Sequence, residues 1–314
     1  MTEKKDYANS NSHHVQQLSE IKTPWKSIYV IGACSLAQSA QFSIFISSMW
    51  PYLKTLDPDA TETQFGFIMT LYSLASCISA PCLGYWSNRI EQVEIPLLVS
   101  FCFMVIGNAL YLSLSFATPS CAGVVMLAAK FIQGLGEGNT SLLRAYVSAS
   151  SSKVDRSRAL ACVSGGTAIG YLIGSAFQLF FTPLGAKGVD LLPFYRIHIY
   201  NAPALFSFTI SIAGLFIVYF FLEENYDVLE SDAAKMTKEL PSPCLIAVLI
   251  CIVTRFAQIF ATSTISTLGS AFSMLMFDFD YEQSVAINTV AQLAGGIIGA
   301  TLNIFFIFFN LSSW

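Results

Sequence analysis

Three polar side chains that could bind or move a charged solute occur at helical spacing inside an apolar stretch. Lys130, Gln133 and Glu137 are separated by three and four residues, so they share one face of a helix. Ionisable side chains at membrane depth are costly and usually face a bundle interior or an aqueous cavity. We predict that these residues line a solute pathway. The alternative is a structural Lys–Glu pair, bridged by Gln133, that holds helices together.

A deep arginine and two amides extend this candidate pathway. Arg255 lies well inside another apolar stretch, too deep for its side chain to reach the membrane surface easily. An anion-attracting role and a structural salt bridge are both open for it. Gln38 and Gln41 share one face of the first apolar stretch, where they either line the pathway or form hydrogen bonds between helices.

The composition excludes a water-soluble protein and gives no support to an enzyme. Hydrophobic residues make up 54% of the chain and charged residues 11%, whereas soluble domains are near a quarter charged. The sequence shows no catalytic triad, histidine-rich metal site or phosphate-binding loop. We therefore expect no enzymatic activity, no metal and no cofactor. The basic residues form no patch for nucleic acid.

Eight apolar stretches can position these side chains in a lipid bilayer. A spanning helix needs about 20 mostly apolar residues, and the stretches lack the alternation of barrel strands. The predicted helices cover approximately 27–50, 64–86, 96–117, 122–143, 159–181, 201–222, 243–268 and 285–309. The predicted domains are a polar cytosolic tail (1–26), a six-helix N-terminal bundle (27–222), a charged cytosolic linker (223–241) and two helices of an incomplete second bundle (242–314).

The distribution of basic residues predicts the orientation. Lys and Arg concentrate in the cytosolic segments of membrane proteins. With the N-terminus in the cytosol, only Lys54, Lys187 and Arg196 lie on the opposite side. The cytosolic segments then hold Lys4, Lys5, Lys22, Lys26, Arg89, Lys153, Arg156, Arg158, Lys235 and Lys238. We predict a cytosolic N-terminus.

Two motifs give the chain a family resemblance. Gly84, Asn88 and Arg89, at the end of the second predicted helix, resemble the loop motif between helices two and three of the major facilitator superfamily, with Asn88 in the place of the usual Asp. The run from Lys130 to Gly136 resembles the superfamily motif R-x-x-Q-G-x-G, with Lys130 in the place of Arg. The resemblance implies that Gly84, Asn88 and Arg89 form a conformational loop.

The fifth predicted helix carries glycine at every fourth position. Gly166, Gly170 and Gly174 produce a flat groove that allows close helix packing. The stretch also resembles the glycine-rich helix-five motif of facilitator antiporters, with Tyr171 where those proteins have proline. We assign the three glycines to helix packing.

Unusual loop strings resemble one lysosomal branch of the superfamily, the facilitator proteins linked to neuronal ceroid lipofuscinosis type 7. They include the string at 181–189, Phe-Thr-Pro-Leu-Gly-Ala-Lys-Gly-Val, and Tyr-Asn-Ala-Pro at 200–203. The resemblance implies a facilitator fold of twelve helices in endosomal or lysosomal membranes, with chloride conduction as the activity. The facilitator cavity lies between two six-helix halves, and this chain supplies one half and about two further helices.

Two functions remain open at this stage. The first is transport of a small solute, such as an anion or a proton, across an endolysosomal membrane. The second is a non-transporting membrane interaction or regulatory protein, a truncated facilitator. In both cases the expected partners are the lipid bilayer and, through self-association, a second copy of the chain.

Overall fold

The computed structural model describes residues 23–116, 118–152, 155–185, 188–192, 195–224 and 244–308. This part of the chain folds into an all-α bundle with one small hairpin. The helices are α1 (Trp25–Ile46), α2 (Met49–Leu56), α3 (Glu62–Ile90), α4 (Glu94–Leu112), α5 (Pro119–Glu137), α6 (Asn139–Ser150), α7 (Arg156–Phe181), α8 (Ala202–Phe221), α9 (Leu245–Phe277) and α10 (Tyr281–Phe308). Short 3₁₀ turns follow α4 (Ser113–Phe116) and α7 (Thr182–Leu184).

All eight predicted helices are helical in the structure. Six helical segments in the described residues are long and apolar enough to cross a membrane: Trp25–Ile46, Glu62–Ile90, Glu94–Phe116, Arg156–Leu184, Ala202–Phe221 and Leu245–Ile265. The fourth and eighth predicted helices are not among these six segments. Residues 1–22 of the predicted tail (1–26) and most of the predicted linker lie outside the described residues.

The first predicted helix is interrupted, which corrects the expectation of one continuous helix over 27–50. Helix α1 ends at Ile46, and α2 begins at Met49 and contains Pro51 in its first turn. Proline is tolerated there because the first helical N–H groups have no intrahelical acceptor. The chain therefore bends before the proline and continues as a short helix.

Helix α3 is longer than predicted. It runs to Ile90 and ends in a left-handed residue, Glu91 (φ 54°). Gly84 therefore lies inside the helix and does not form its terminal turn. A Cβ atom at Gly84 would meet no atom within 4 Å, so the glycine is not required for packing at this position.

The fourth predicted helix is divided at Gly138 into α5 and α6. A Cβ atom at Gly138 would lie 2.7 Å from the backbone nitrogen of Ala80, so a side chain would separate this turn from α3. A hairpin of β1 (Val189–Leu192) and β2 (Tyr195–Ile197) joins α7 to α8. The hydropathy pattern did not predict this hairpin.

Helices α1 and α7 form the closest contact in the bundle. A Cβ atom at Gly166, Gly170 or Gly174 would lie 2.4, 2.3 and 2.3 Å from the carbonyl oxygens of Gly32, Leu36 and Ala40. The contacts advance by four residues on both helices, so the two helices run parallel. The Ser43 hydroxyl lies 2.8 Å from that of Ser175 and continues the same contact.

Two apolar clusters close the ends of the bundle. One contains Trp50 and Tyr111 with the ring of Tyr52 stacked on that of Tyr200 at 5.5 Å. The other contains Ile28, Phe101, Tyr146 and Val147 at the opposite end. The polar residues discussed below lie between these clusters.

Helices α9 and α10 pack against the bundle unequally. Helix α10 contacts the break between α1 and α2, where Thr289 Oγ1 lies 3.0 Å from Ser47 Oγ and Gln292 Nε2 lies 3.1 Å from it. The span Leu245–Ile265 of α9 has none of its apolar window buried. Helix α9 lies beside the bundle, and a cavity separates the two.

Candidate functional site

A cavity of about 760 Å³ lies between α9 and the bundle. We call it the outer cavity; its charged lining residues are Glu137, Arg144 and Arg255. Gln38, Tyr171 and Gln258 and hydroxyl groups from α1, α3, α6, α7 and α9 complete the polar lining. Its volume falls within the usual range of small-molecule sites, about 300–1,000 Å³.

Two guanidinium groups face the outer cavity. Arg144 and Arg255 are close enough for their charges to interact. The Arg255 Nη1 atom donates to Gln258 Oε1 at 2.8 Å, whereas Arg144 has no hydrogen bond within the described part of the chain. Glu137 is the one acidic side chain among the described lining residues. Two positive charges and one negative charge leave this cavity attractive to anions.

A second, much smaller space lies deeper in the bundle. We call it the inner void: it measures about 30 Å³ and is lined by Gln41, Asn108, Lys130 and Gln133. The Lys130 side chain is 4% exposed. Its Nζ atom lies 3.8 Å from the centre of the Phe45 ring and 5.2 Å from that of Tyr111. Both aromatic faces stabilise a cation at this distance.

A chain of hydrogen bonds leads away from Lys130. Its Nζ atom donates to Gln133 Oε1 at 2.7 Å, and Gln133 Nε2 donates to Asn108 Oδ1 at 2.8 Å. Asn108 Nδ2 donates to Gln41 Oε1 at 3.1 Å and to Ser211 Oγ at 2.9 Å. Ser211 Oγ in turn lies 2.8 Å from Gln41 Oε1. The network joins α5, α4, α1 and α8.

Four residues line both spaces and separate them. Phe42, Met69, Tyr72 and Glu137 belong to the lining of the outer cavity and of the inner void. The Phe42 ring stacks on that of Tyr72 at 6.2 Å and contacts the ring of Tyr171 edge-on at 6.1 Å. We call Phe42, Met69 and Tyr72 the partition.

The structure divides the predicted pathway residues between the two spaces. Gln38, Glu137 and Arg255 line the outer cavity, and Gln41, Lys130 and Gln133 line the inner void, which Glu137 also borders. The Gln38 amide donates to the backbone carbonyl of Glu137 at 3.2 Å. The sequence had placed these residues on one continuous path.

The alternative of a Lys130–Glu137 pair bridged by Gln133 does not fit the contacts. Gln133 bonds to Lys130 and to Asn108, and not to Glu137. Within the described residues the one ion pair joins Lys26 to Glu223, far from both spaces. Arg255 likewise forms no ion pair with another described residue.

The remaining predicted residues lie away from both spaces. Gly84, Asn88 and Arg89 occupy the last two turns of α3, at the end of the bundle where α4 begins. The three glycines of α7 face α1, as described above. No group of three metal-binding side chains occurs in the part of the chain that the structure describes.

The sequence did not identify Asn108 and Ser211 as members of the buried network, nor the position of Arg144 at the outer cavity. Asn108 is a lone amide in an apolar run and is 1% exposed, which is itself a signal, since a buried amide requires hydrogen-bond partners. Arg144 lies on α6, which begins directly after Gly138, and it lines the outer cavity.

Comparisons with known proteins agree with this fold. The chain is 28% identical over 295 residues to the Major facilitator superfamily domain-containing protein 8 of Xenopus laevis, covering 90% of this chain and 58% of the relative. It is 21% identical over 251 residues to Multidrug resistance protein 2 of Bacillus subtilis, covering 76% of this chain and 57% of that protein. The chain thus spans less than three fifths of the length of either relative.

A solved structure has the same fold. The human organic anion transporter MFSD10 (TETRAN) superposes with a TM-score of 0.57 at 18% identity, over 88% of this chain and 72% of that one. At this identity the likeness concerns the fold. Residues 31–314 match the Major Facilitator Superfamily, in agreement with the helical bundle and its membrane-spanning segments. The chain belongs to the Major Facilitator Superfamily.

Proposed function

We propose that this membrane transport protein carries a small anion through the outer cavity. One observation carries the proposal: Arg144 and Arg255 face the same cavity, and the single acidic side chain in its described lining, Glu137, forms no ion pair with either. Positive side chains at membrane depth require an aqueous cavity or a counter-charge. An anion in the outer cavity supplies the counter-charge.

The lining is suited to a partly dehydrated anion. Guanidinium groups form charge-assisted hydrogen bonds with anions, at about twice the strength of neutral ones. Serine and threonine hydroxyls on five helices line the same space and can replace part of the hydration shell. Chloride is the first anion to test because the loop strings resemble the lysosomal branch described above.

The end of α3 is proposed to act as a conformational element. Gly84, Asn88 and Arg89 stand in the positions of the superfamily loop motif and lie on exposed or half-buried turns of α3. Their distance from both spaces fits a role in helix movement and not in solute contact. Glu91 in its left-handed conformation marks the point at which α3 and α4 could shift relative to each other.

We further propose an endolysosomal membrane as the location, on the resemblance of the loop strings alone. Immunofluorescence of the tagged chain with a lysosomal marker tests this. Plasma-membrane staining without lysosomal overlap would contradict it, and would leave anion transport unaffected.

Anion flux in proteoliposomes tests the function. We expect chloride efflux from liposomes containing the wild-type chain to fall about tenfold or more in the double variant Arg144→Ala, Arg255→Ala, because each hydrogen bond to a charged group contributes about 1.5–3 kcal/mol. Arg158→Ala is the matched control: it removes an exposed arginine outside both spaces and should leave flux unchanged. Equal flux from the wild type and the double variant would exclude this role of the outer cavity.

A further inference from the structure

The hydrogen-bond chain behind Lys130 has a fixed direction. An ammonium group can only donate, so Gln133 must present its oxygen to Lys130 and its NH₂ group to Asn108. Asn108 then accepts through Oδ1 and donates through Nδ2 to Gln41. Each amide orientation follows from the previous one. The chemistry of Lys130 therefore determines the orientation of three amides.

At the other end of this network, the NH₂ group of Gln41 is left without an acceptor. Gln41 Oε1 accepts from Asn108 Nδ2 and lies 2.8 Å from Ser211 Oγ. Rotating the amide by 180° would set two donors, Gln41 Nε2 and Asn108 Nδ2, against each other. Its Nε2 atom is buried without any partner, and the side chain is 4% exposed. A buried donor without a partner is costly and indicates an occupant that accepts hydrogen bonds.

The two ends of this hydrogen-bond network, Lys130 and Gln41, meet at the inner void. Lys130 and Gln41 both line it, and Lys130 has one hydrogen bond for three N–H groups. The void therefore receives a positive charge and unused N–H groups from two helices. Glu137 also borders the void; its carboxylate acts on the Lys130 charge but forms no ion pair with it. Two N–H groups of Lys130 therefore have no acceptor among the described residues, and they favour a hydrogen-bond acceptor in the adjoining space.

Size restricts what this space can hold. A volume of about 30 Å³ corresponds to one or two water-sized particles. The partition, with the Phe42 and Tyr72 rings stacked at 6.2 Å, lies between this void and the outer cavity. An organic anion that fits the outer cavity cannot fit here.

We infer that the inner void is a binding site for one small monovalent anion of halide size, held by Lys130 Nζ and Gln41 Nε2 and separated from the outer cavity by the partition. The role of this site as a step on the transport path rests on the proposed function. As a binding site it stands on the donor geometry alone. The competing occupant is water that bridges Lys130 and Glu137.

Thermal unfolding of the purified chain in detergent tests the site without flux. Sodium gluconate is replaced by sodium chloride at constant ionic strength, so that only the anion changes. We expect chloride to raise the Tm of the wild type by about 2 °C or more in a saturable manner, and bromide to act likewise. Absence of a chloride-specific shift in the wild type would overturn the inference and favour bridging water.

Two variants locate the effect. Lys130→Met removes the charge at similar volume, and Gln41→Glu replaces the orphan donor with a carboxylate; both should reduce the chloride shift to the part that the outer cavity contributes. Should Gln41→Glu fail to fold, Lys130→Met still decides, since it relieves the burial of a charge. Gln292→Glu is the matched control, an identical change at the α1–α2 break, and should keep the shift. A shift of undiminished size in Lys130→Met would overturn the inference.

The outer-cavity variant separates the two proposals. In Arg144→Ala, Arg255→Ala the part of the chloride shift that depends on Lys130 should remain even though flux falls. If the shift disappears in this double variant and persists in Lys130→Met, chloride binds in the outer cavity alone: the inner site is then wrong and the proposed function stands. If flux is insensitive to the double variant while the shift depends on Lys130, the proposed function is wrong and the inner site stands.

Discussion

Single polar residues inside the apolar bundle are organised by their hydrogen-bond partners. Lys130 has an amide partner and two aromatic faces where the sequence suggested a carboxylate. Breaking a buried polar network by removing one member leaves the others unsatisfied. The buried amides Gln133 and Asn108 thus orient the donors that face the inner void, although neither has to touch a solute.

The surroundings of His198 determine its protonation state. It lies in the connection between the hairpin and α8, outside the spanning segments. The rings of Tyr52 and Tyr200 lie 5.6 and 5.7 Å away, and the backbone N–H of Tyr200 donates to His198 Nδ1 at 3.3 Å. Burial lowers the pKa of His198 below its usual value. The neutral form is therefore the one that the fold accommodates.

Stability should depend on pH through this group. Because the pKa of His198 is lower in the folded state than in the unfolded one, where it is about 6.5, the unfolded chain binds more protons as the pH falls. Its contribution is present above about pH 6.5 and is lost at lower pH. We expect the Tm to fall from pH 7.5 to pH 5, and to fall less in His198→Asn, which retains an acceptor. A variant with the same pH profile as the wild type would contradict this assignment.

At the scale of the elements, the parallel contact of α1 with α7 sets the geometry of the bundle. Three glycines of α7 face carbonyl oxygens of α1 at distances that leave no room for a methyl group. This close approach brings Phe42 of α1 within edge-on contact of Tyr171 of α7. The packing of two helices thus fixes one side of the partition.

Two adjacent glycines provide a matched test of this contact. A Cβ atom at Gly166 would lie 2.4 Å from the Gly32 carbonyl oxygen, whereas one at Gly165 would meet nothing within 4 Å. We expect Gly166→Ala to destabilise the protein by about 1–3 kcal/mol through overpacking. Gly165→Ala should be neutral or slightly stabilising, because alanine is the better helix former.

Thermal or denaturant unfolding in one detergent measures both variants. Equal unfolding midpoints for Gly165→Ala and Gly166→Ala would show that the α1–α7 distance adjusts freely. The flat face of α7 would then have no packing role.

On the scale of the whole molecule, contacts define which segments share an end of the bundle. Lys26 pairs with Glu223, which joins the start of α1 to the segment after α8. Thr23 Oγ1 donates to Asp155 Oδ2 at 2.8 Å, which adds the start of α7. Lys26 and Arg156, both assigned to the cytosolic side, therefore lie at one end of the bundle, and Lys54 lies on α2, beyond the break in the first helix.

This clustering leads to a prediction of orientation. Basic segments remain on the cytosolic side of a membrane, so an epitope placed before Met1 should bind antibody in cells whose plasma membrane alone is permeabilised. An epitope inserted after Asp59, in the loop between α2 and α3, should require permeabilisation of the internal membranes too. The opposite pattern would reverse the topology and place Arg144 and Arg255 nearer the other compartment.

The sequence by itself determined where the helices form and which polar side chains share a helix face. Long apolar stretches leave only helices as a membrane-compatible structure, and the spacing of Lys130, Gln133 and Glu137 fixes their common side. The glycine repeat likewise identified a close-packing face of α7. These features are local, because they depend on residues within a few turns of one another.

Only the tertiary structure decided which polar groups meet. Gln133 reaches Asn108 across 25 positions of the chain, and Asn108 reaches Gln41 across 67, on helices whose relative rotation no local pattern encodes. The break at Ser47 was also hidden, because the residues on both sides of it are mostly apolar. The partition is made by side chains from α1 and α3 that meet only in the folded bundle. The packing of these helices therefore divides the residues of the single predicted pathway between two spaces.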